Sequence, residues 1–243
     1  MQRIPWQQID ALFFDAGNTL MMIDVERIAR ELGRLGHAVP AETLRRSEAA
    51  ARPGLSALLS GGASSEAQTP RRFYVRQMLA PLGLADGVLD ELLEDLQPAL
   101  DRAQQQGELW CAVPSGMAAA LQRLAASDVR AVVVSNSDGT VERSLERAGL
   151  AAHFDGIIDS HVVGIEKPNP GIFRLALKVS GSDPERTVHV GDLFAADVVG
   201  ARDAGIHPLL LDPFGDWPEM GCAVARDAIS VIDRILASRE LRA

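Results

Sequence analysis

Cysteine, aromatic side chains and positive charge are all in short supply in this 243-residue chain, and each shortage excludes something. Its two cysteines, Cys111 and Cys222, are far apart and have no His pattern beside them. That rules out a disulfide-stapled scaffold and offers no zinc site, so free thiols are expected. No stretch approaches the roughly 18 consecutive apolar residues of a membrane helix. The segment Met1 to Asp10 carries Pro5, Gln7 and Gln8 in place of a signal-peptide core. A soluble, cytoplasmic protein is the expectation. With 33 acids against 24 bases the formal charge is −9, which argues against a broad grip on nucleic acid or anionic lipid. Internal repeats and useful heptads are also missing, and oligomeric state is not legible.

What is present is an ordinary globular composition, 47% apolar and 23% charged, on a chain long enough for a large core with a smaller insert. Ile9, Leu12, Phe13 and Phe14 form an apolar run that stops at Asp15, and Ala16, Gly17 and Asn18 favour a sharp turn. Similar runs from Val129 to Val134 and from Thr187 to Val190 stop at Ser135–Asn136 and Gly191–Asp192. Leu209 to Leu211 and Gly156 to Asp159 read as further short strands. Between them, Met117, Leu121, Leu124 and Ala125 share a helical face, as do Val141, Leu145 and Ala148. Alternation of strands and helices predicts a doubly wound parallel α/β sheet, with the polar strand ends meeting in one crevice beyond the carboxyl edge.

From about Leu20 to Leu109 the pattern changes. Ile28, Leu32 and Leu35, then Leu89, Leu92, Leu93 and Leu96, lie at helical spacings, so this stretch reads as a helical insert. Within it, Ser60 to Ser65 with Thr69 and Pro70 reads as a flexible loop. Arg71, Arg72 and Arg76 are expected on a mainly solvated helix face. The five histidines show no metal-pair spacing, and His189 is expected to pack on its strand.

A carboxylate at a strand terminus can attack phosphorus and divide hydrolysis into two steps. Attack on an anionic phosphate needs charge neutralisation, which Mg²⁺ held by oxygen ligands supplies. Asp15 is the natural nucleophile, Asp192 the best further metal ligand, and Asp197 is close enough in sequence to ligate directly or hold a metal-bound water. Ser135 and the amides around Asn136 are placed to bind phosphate oxygens. Lys167, held by Pro168 and Pro170 in a rigid segment, is a compact charge for a phosphoryl group.

Taken in order, Asp15 to Leu20, Ser135, Lys167–Pro168 and Asp192 with Asp197 after Gly191 resemble the four motifs of the haloacid dehalogenase superfamily. Residues 188–205 resemble that family's last core segment almost throughout. The resemblance implies a Rossmann-like core of residues 1–19 and 110–243 with a helical cap at 20–109. It also implies a magnesium-dependent phosphatase of small phosphorylated metabolites acting through an aspartyl-phosphate, with the Gly17 carbonyl as a metal ligand.

One position departs from that pattern: phosphatases of the family usually carry a second Asp two residues after the nucleophile, and here that residue is Gly17. A positioned acid or base contributes roughly 10² to 10⁴ in rate. The departure keeps two alternatives open, a metal-independent 2-haloacid dehalogenase-like hydrolase and a non-catalytic phosphate- or partner-binding protein. Asp24 or Glu26 could replace the missing acid only by folding back over the site. Phosphonate cleavage would require a cap lysine, and residues 20–109 have none.

Overall fold

The computed structural model describes residues 4–61 and 68–240. Along the chain the elements are β1 (Ala11–Phe14), β2 (Met22–Ile23), α1 (Val25–Arg34), α2 (Ala41–Leu59), α3 (Gln68–Met78), α4 (Asp86–Gln105) and β3 (Trp110–Ala112). There follow α5 (Met117–Ala125), β4 (Arg130–Ser135), α6 (Val141–Arg147), β5 (Gly156–Asp159), α7 (Ser160–Val163) and α8 (Pro170–Ser180). The chain continues through β6 (Thr187–Gly191), α9 (Val199–Asp203), β7 (His207–Leu211), β8 (Ala223–Ala225) and α10 (Ala228–Glu240).

Six strands form one sheet in the order β5-β4-β1-β6-β7-β8, and every pairing in it is parallel. The strand order reverses at β1, whose neighbours are β4 and β6, so the ligand crevice is expected beyond the carboxyl ends of these three strands. All four residues of β1 are buried, as a strand covered on both faces requires. Leu12 and Phe14 pack with α5 and α10 through Leu121 and Ile232. Ala11 and Phe13 face the other layer, with Ile172 and Phe173 of α8. Burying each such large side chain contributes roughly 1.5–3 kcal/mol.

The segment between β1 and β4 has its own apolar cluster. Ile28, Leu32, Leu44, Met78, Leu92 and Leu96 bring α1 to α4 together, and Ala195 of the sheet layer joins them. α1 starts at Asp24, whose side chain accepts the Arg27 amide at 2.8 Å, a favourable N-cap. The two short strands β2 and β3 pair antiparallel where this segment leaves and rejoins the sheet.

The expected strands are all present. Two features were not expected: the β2–β3 pair and the edge strand β8. The expected loop divides. Residues 62–67 lie outside the described residues, while Thr69 and Pro70 fall in the first turn of α3, where a proline is tolerated because the first N–H groups lack helical partners. Arg72 and Arg76 pair with Asp90 of α4 at 3.2 and 2.6 Å on a partly exposed surface. The Arg71 side chain is outside the described residues. Among the described residues no helix is long and apolar enough to cross a membrane, and Cys111 and Cys222 are free thiols.

Candidate active site

Register brings the expected residues together. Phe14 lies level with Val133 of β4 and Val190 of β6, so Asp15, Ser135 and Asp192 all emerge at one edge of the sheet. The Asp15 amide donates to the Val190 carbonyl at 2.9 Å, fixing the nucleophile candidate to the next strand.

The chain holds only two lysines, and one of them, Lys167, is buried here. Its ammonium lies 2.5 Å from Asp15 Oδ1 and 2.7 Å from Asp197 Oδ1. The loop carrying it is clamped through both main-chain polar groups of one residue: the Lys167 amide donates to Asn136 Oδ1 at 2.7 Å, and Asn136 Nδ2 donates to the Lys167 carbonyl at 3.0 Å. At Gly200 of α9 an added Cβ would come within 2.8 Å of the Pro168 carbonyl and 2.5 Å of Phe173. Only glycine lets the helix seat this loop.

Expected as a metal ligand, Asp197 has both oxygens engaged within the protein. Oδ1 meets Lys167 and, at 2.9 Å, His189 Nε2; Oδ2 accepts the Leu193 amide at 3.0 Å. Gly191 permits this, since a Cβ there would lie 2.2 Å from the Asp197 carboxyl carbon. His189 packs edge-on against Phe173 as expected of a strand residue, and it also supports Asp197. Ser135 is buried beside Asp15 and lines the same cavity as Lys167 and Asp192.

The helical segment supplies the opposite wall and also residues near it that no motif announced. Arg52 and Glu48 of α2, each 3% exposed, form a two-pronged ion pair at 2.8 and 2.7 Å. Glu48 Oε1 also accepts the Tyr74 hydroxyl at 2.6 Å and Asn18 Nδ2 at 2.8 Å. From this cluster Arg52 Nε reaches to 3.4 Å from Asp192 Oδ2, and Asn18 Nδ2 to 3.3 Å. Asn18 adopts a left-handed backbone (φ 52°), a conformation Asn tolerates better than most residues. Ser56 Oγ accepts the Ala195 amide at 2.8 Å, a further tie between the layers.

Tyr74, the chain's single tyrosine, stacks on Trp110 with centroids 6.2 Å apart. The Trp110 ring in turn lies 3.4 Å from where a Cβ on Gly17 would stand. A side chain at position 17 would therefore start in ordinary contact with the indole. Neither proposed substitute reaches that position freely: Asp24 caps α1 and Glu26 pairs with Arg45 at 2.8 Å. A cavity of about 210 Å³ lies between the two walls, with Asp15, Ser135, Lys167 and Asp192 on one side and Leu55, Tyr74, Leu100 and Trp110 on the other.

Burial dominates the electrostatics. It pushes the Asp15 carboxyl up, with Lys167 opposing and Asp197 adding to the rise. It pushes Asp192 up to about 8, against Arg52 and with the repulsion of Asp15, Asp197 and Glu48. Burial disfavours the charge on Lys167, yet Asp15 and Asp197 outweigh it and hold the ammonium above its ordinary range. Asp197 is likewise penalised by burial but held below the usual carboxylate range by Lys167 and His189. His189 is kept neutral, lowered by burial despite Asp197.

Four buried carboxylates, Asp15, Glu48, Asp192 and Asp197, thus face two buried cations, Lys167 and Arg52. With all four ionised, the described residues carry two more negative than positive charges here, the charge of one divalent ion. Among the described residues no three Asp, Glu, His or Cys side chains form a metal-holding group. Asp15, Asp192 and the Gly17 carbonyl, to which no described backbone amide donates, are nevertheless the hard oxygen set that magnesium prefers. The donor chemistry and the charge balance fit that ion.

Residues 9–205 match the family described as haloacid dehalogenase-like hydrolase. The chain belongs to this hydrolase family. It is 27% identical over 203 residues to haloacid dehalogenase-like hydrolase domain-containing protein 3 of Xenopus laevis, covering 82% of this chain and 83% of that one. A shorter stretch of 65 residues, 27% of this chain and 26% of the relative, is 48% identical to a phosphoserine phosphatase of Thermus thermophilus. Among solved structures, the HAD-hydrolase YfnB of Bacillus subtilis bound to magnesium superposes with a TM-score of 0.64 at 17% identity, over 93% of this chain and 98% of that one. At that identity the likeness is one of fold.

Proposed function

We propose that this hydrolase is a magnesium-dependent phosphatase of small phosphorylated metabolites in which Asp15 is the nucleophile. The observation that carries the reading is the buried Lys167 ammonium, 2.5 Å from Asp15 and 2.7 Å from Asp197, at the floor of a cavity wide enough for a small ligand. Bound to Asp15, Asp192 and the Gly17 carbonyl, magnesium would supply charge neutralisation for the entering phosphoryl group.

Asp15 attacks phosphorus, the bond to the leaving oxygen breaks, and the phosphoryl group is held as an aspartyl-phosphate that water then hydrolyses. Lys167 stays charged throughout and faces the phosphoryl oxygens, while Ser135 and the amides near Asn136 donate to them. Asp197, together with His189, positions Lys167 and does not ligate the metal. The helical segment 20–109 acts as a cap on the core of residues 1–19 and 110–243, excluding water and selecting the substrate. Because Gly17 has no side chain, the leaving oxygen departs without a carboxylic proton donor at position 17. Substrates with good leaving groups are therefore favoured. The net charge of −9 fits a small metabolite better than nucleic acid, and we propose a cytoplasmic setting.

The test is a rapid-mixing assay with an aryl phosphate, with and without magnesium, comparing the parent with Asp15→Asn. A product burst followed by slower turnover is expected in the parent with magnesium and is expected to be absent from the variant. Equal bursts in both would remove Asp15 from the reaction.

A second reading has one specific observation behind it. Arg52 brings a protein cation to 3.4 Å from Asp192, and Gly17 lacks the phosphatase acid, as in metal-free attack on a carbon–halogen bond. Halide release from 2-haloacids in the presence of a chelator, with no phosphatase turnover, would favour it.

A further inference from the structure

Arg52 is shared unequally between two carboxylates that belong to different layers. Its Nε and a terminal nitrogen grip Glu48 at 2.8 and 2.7 Å, while the same Nε stands 3.4 Å from Asp192 Oδ2. Glu48 is itself held in place, since the Tyr74 hydroxyl and Asn18 Nδ2 both donate to its Oε1. A Glu–Arg pair four residues apart on an exposed helix would contribute only about 0.2–0.5 kcal/mol. Here all the groups are more than nine-tenths buried, so the position of the Arg52 charge is felt strongly by Asp192.

A divalent ion and the Arg52 guanidinium are drawn to the same Asp192 carboxylate. From this geometry we propose that Arg52 is an intramolecular competitor of the metal, and that Glu48 and Arg52 are positioning residues that set the metal affinity of the core. Glu48 holds the guanidinium back. The inference rests on the metal-assisted reading above. It assigns the helical segment a role beyond substrate selection, because any movement of α2 relative to Asp192 carries the competing charge with it.

The two residues predict changes of opposite sign. Glu48→Gln removes one negative charge from the cluster and releases Arg52 towards Asp192, so Mg²⁺ affinity falls by about tenfold. Glu48→Gln combined with Arg52→Met removes both charges, restores the net charge of the parent cluster and leaves Asp192 without a rival. Its affinity returns to the parent value or exceeds it. Loss of packing alone would weaken both variants, the double variant more.

The experiment is calorimetric titration of Mg²⁺ into the full-length parent and the two variants at one pH, with circular dichroism and thermal midpoints recorded for each. Weaker binding in Glu48→Gln with recovery in the double variant is the expected pattern. Unchanged or tighter binding in Glu48→Gln, or weaker binding in the double variant than in the single one, would overturn the inference while leaving the metal site standing. A parent that binds no Mg²⁺ would overturn both the inference and the metal-assisted reading.

Discussion

The site holds two buried cations, and each is shared by two carboxylates. Lys167 sits between Asp15 and Asp197, entirely within the α/β layer. Arg52 sits between Glu48 of α2 and Asp192 at the end of β6, and so joins the helical segment to the sheet. The first cluster is supported from below by His189, Asn136 and two glycines that permit close approach. The second depends on how one layer sits on the other. The Lys167 cluster therefore rests on one layer alone, whereas the Arg52 cluster rests on the placement of two.

The sharpest way to break this comparison is to remove each cation in turn. Lys167→Met leaves Asp15 and Asp197 buried together without a counter-charge. We expect a stability loss of about 3–5 kcal/mol in urea titration, together with a fall in turnover of about 10²- to 10³-fold. Arg52→Met should destabilise to a similar extent because Glu48 is left unpaired, and adding Glu48→Gln should recover most of that loss. No single added change should restore turnover to Lys167→Met, because on the proposed mechanism Asp15 is the nucleophile and the Lys167 charge itself faces the phosphoryl group.

A smaller effect concerns the side of the cavity where the two layers meet at Gly17. The φ of Gly17 is not in the left-handed region, and a Cβ there would make ordinary contact with Trp110. Gly17→Asp should therefore fold. It should raise turnover of alkyl phosphates by about 10²-fold and that of aryl phosphates much less, since only poor leaving groups need the proton. Equal gains on both substrate types would show that the new carboxylate acts in some other way.

A last effect is on stability against pH. Asp192 is raised to about 8 in the folded chain from an ordinary 3.8, so between those values the folded state keeps a proton that the unfolded state has released. Stability contributed in this way is complete below pH about 4 and is lost as pH rises to about 8. On the metal-assisted reading, saturating magnesium would hold the carboxylate ionised and should flatten this decline, as read from urea midpoints measured with magnesium and with chelator. An unchanged slope would mean that the ion does not engage Asp192.

The same contrast explains how much was legible in the sequence. Asp15, Ser135 and Asp192 close strands whose apolar runs are plain, and a parallel sheet brings such ends together whatever surrounds them. Lys167 was marked by its prolines. The helices α1 and α4 were visible through Ile28 and Leu32 and through Leu92 and Leu96. Glu48 and Arg52 were not visible as site residues, because a Glu–Arg pair at helical spacing looks the same whether it faces solvent or a core, and only tertiary packing decides. Asp197 was read towards the metal because spacing cannot tell a ligand from the partner of a buried lysine. β8, three residues with a central exposed Val224, has too little apolar pattern to announce a strand. β2 and β3 are shorter than any periodicity can register.

The central claim is that Asp15 carries the phosphoryl group. The direct measurement is rapid acid quench of the parent during turnover of an aryl phosphate with magnesium, followed by mass analysis of the peptide containing Asp15. The account predicts one phosphoryl group on that peptide, absent from Asp15→Asn and from samples without magnesium. Turnover with no phosphoryl group on any peptide containing Asp15, even at the shortest quench times, would contradict it.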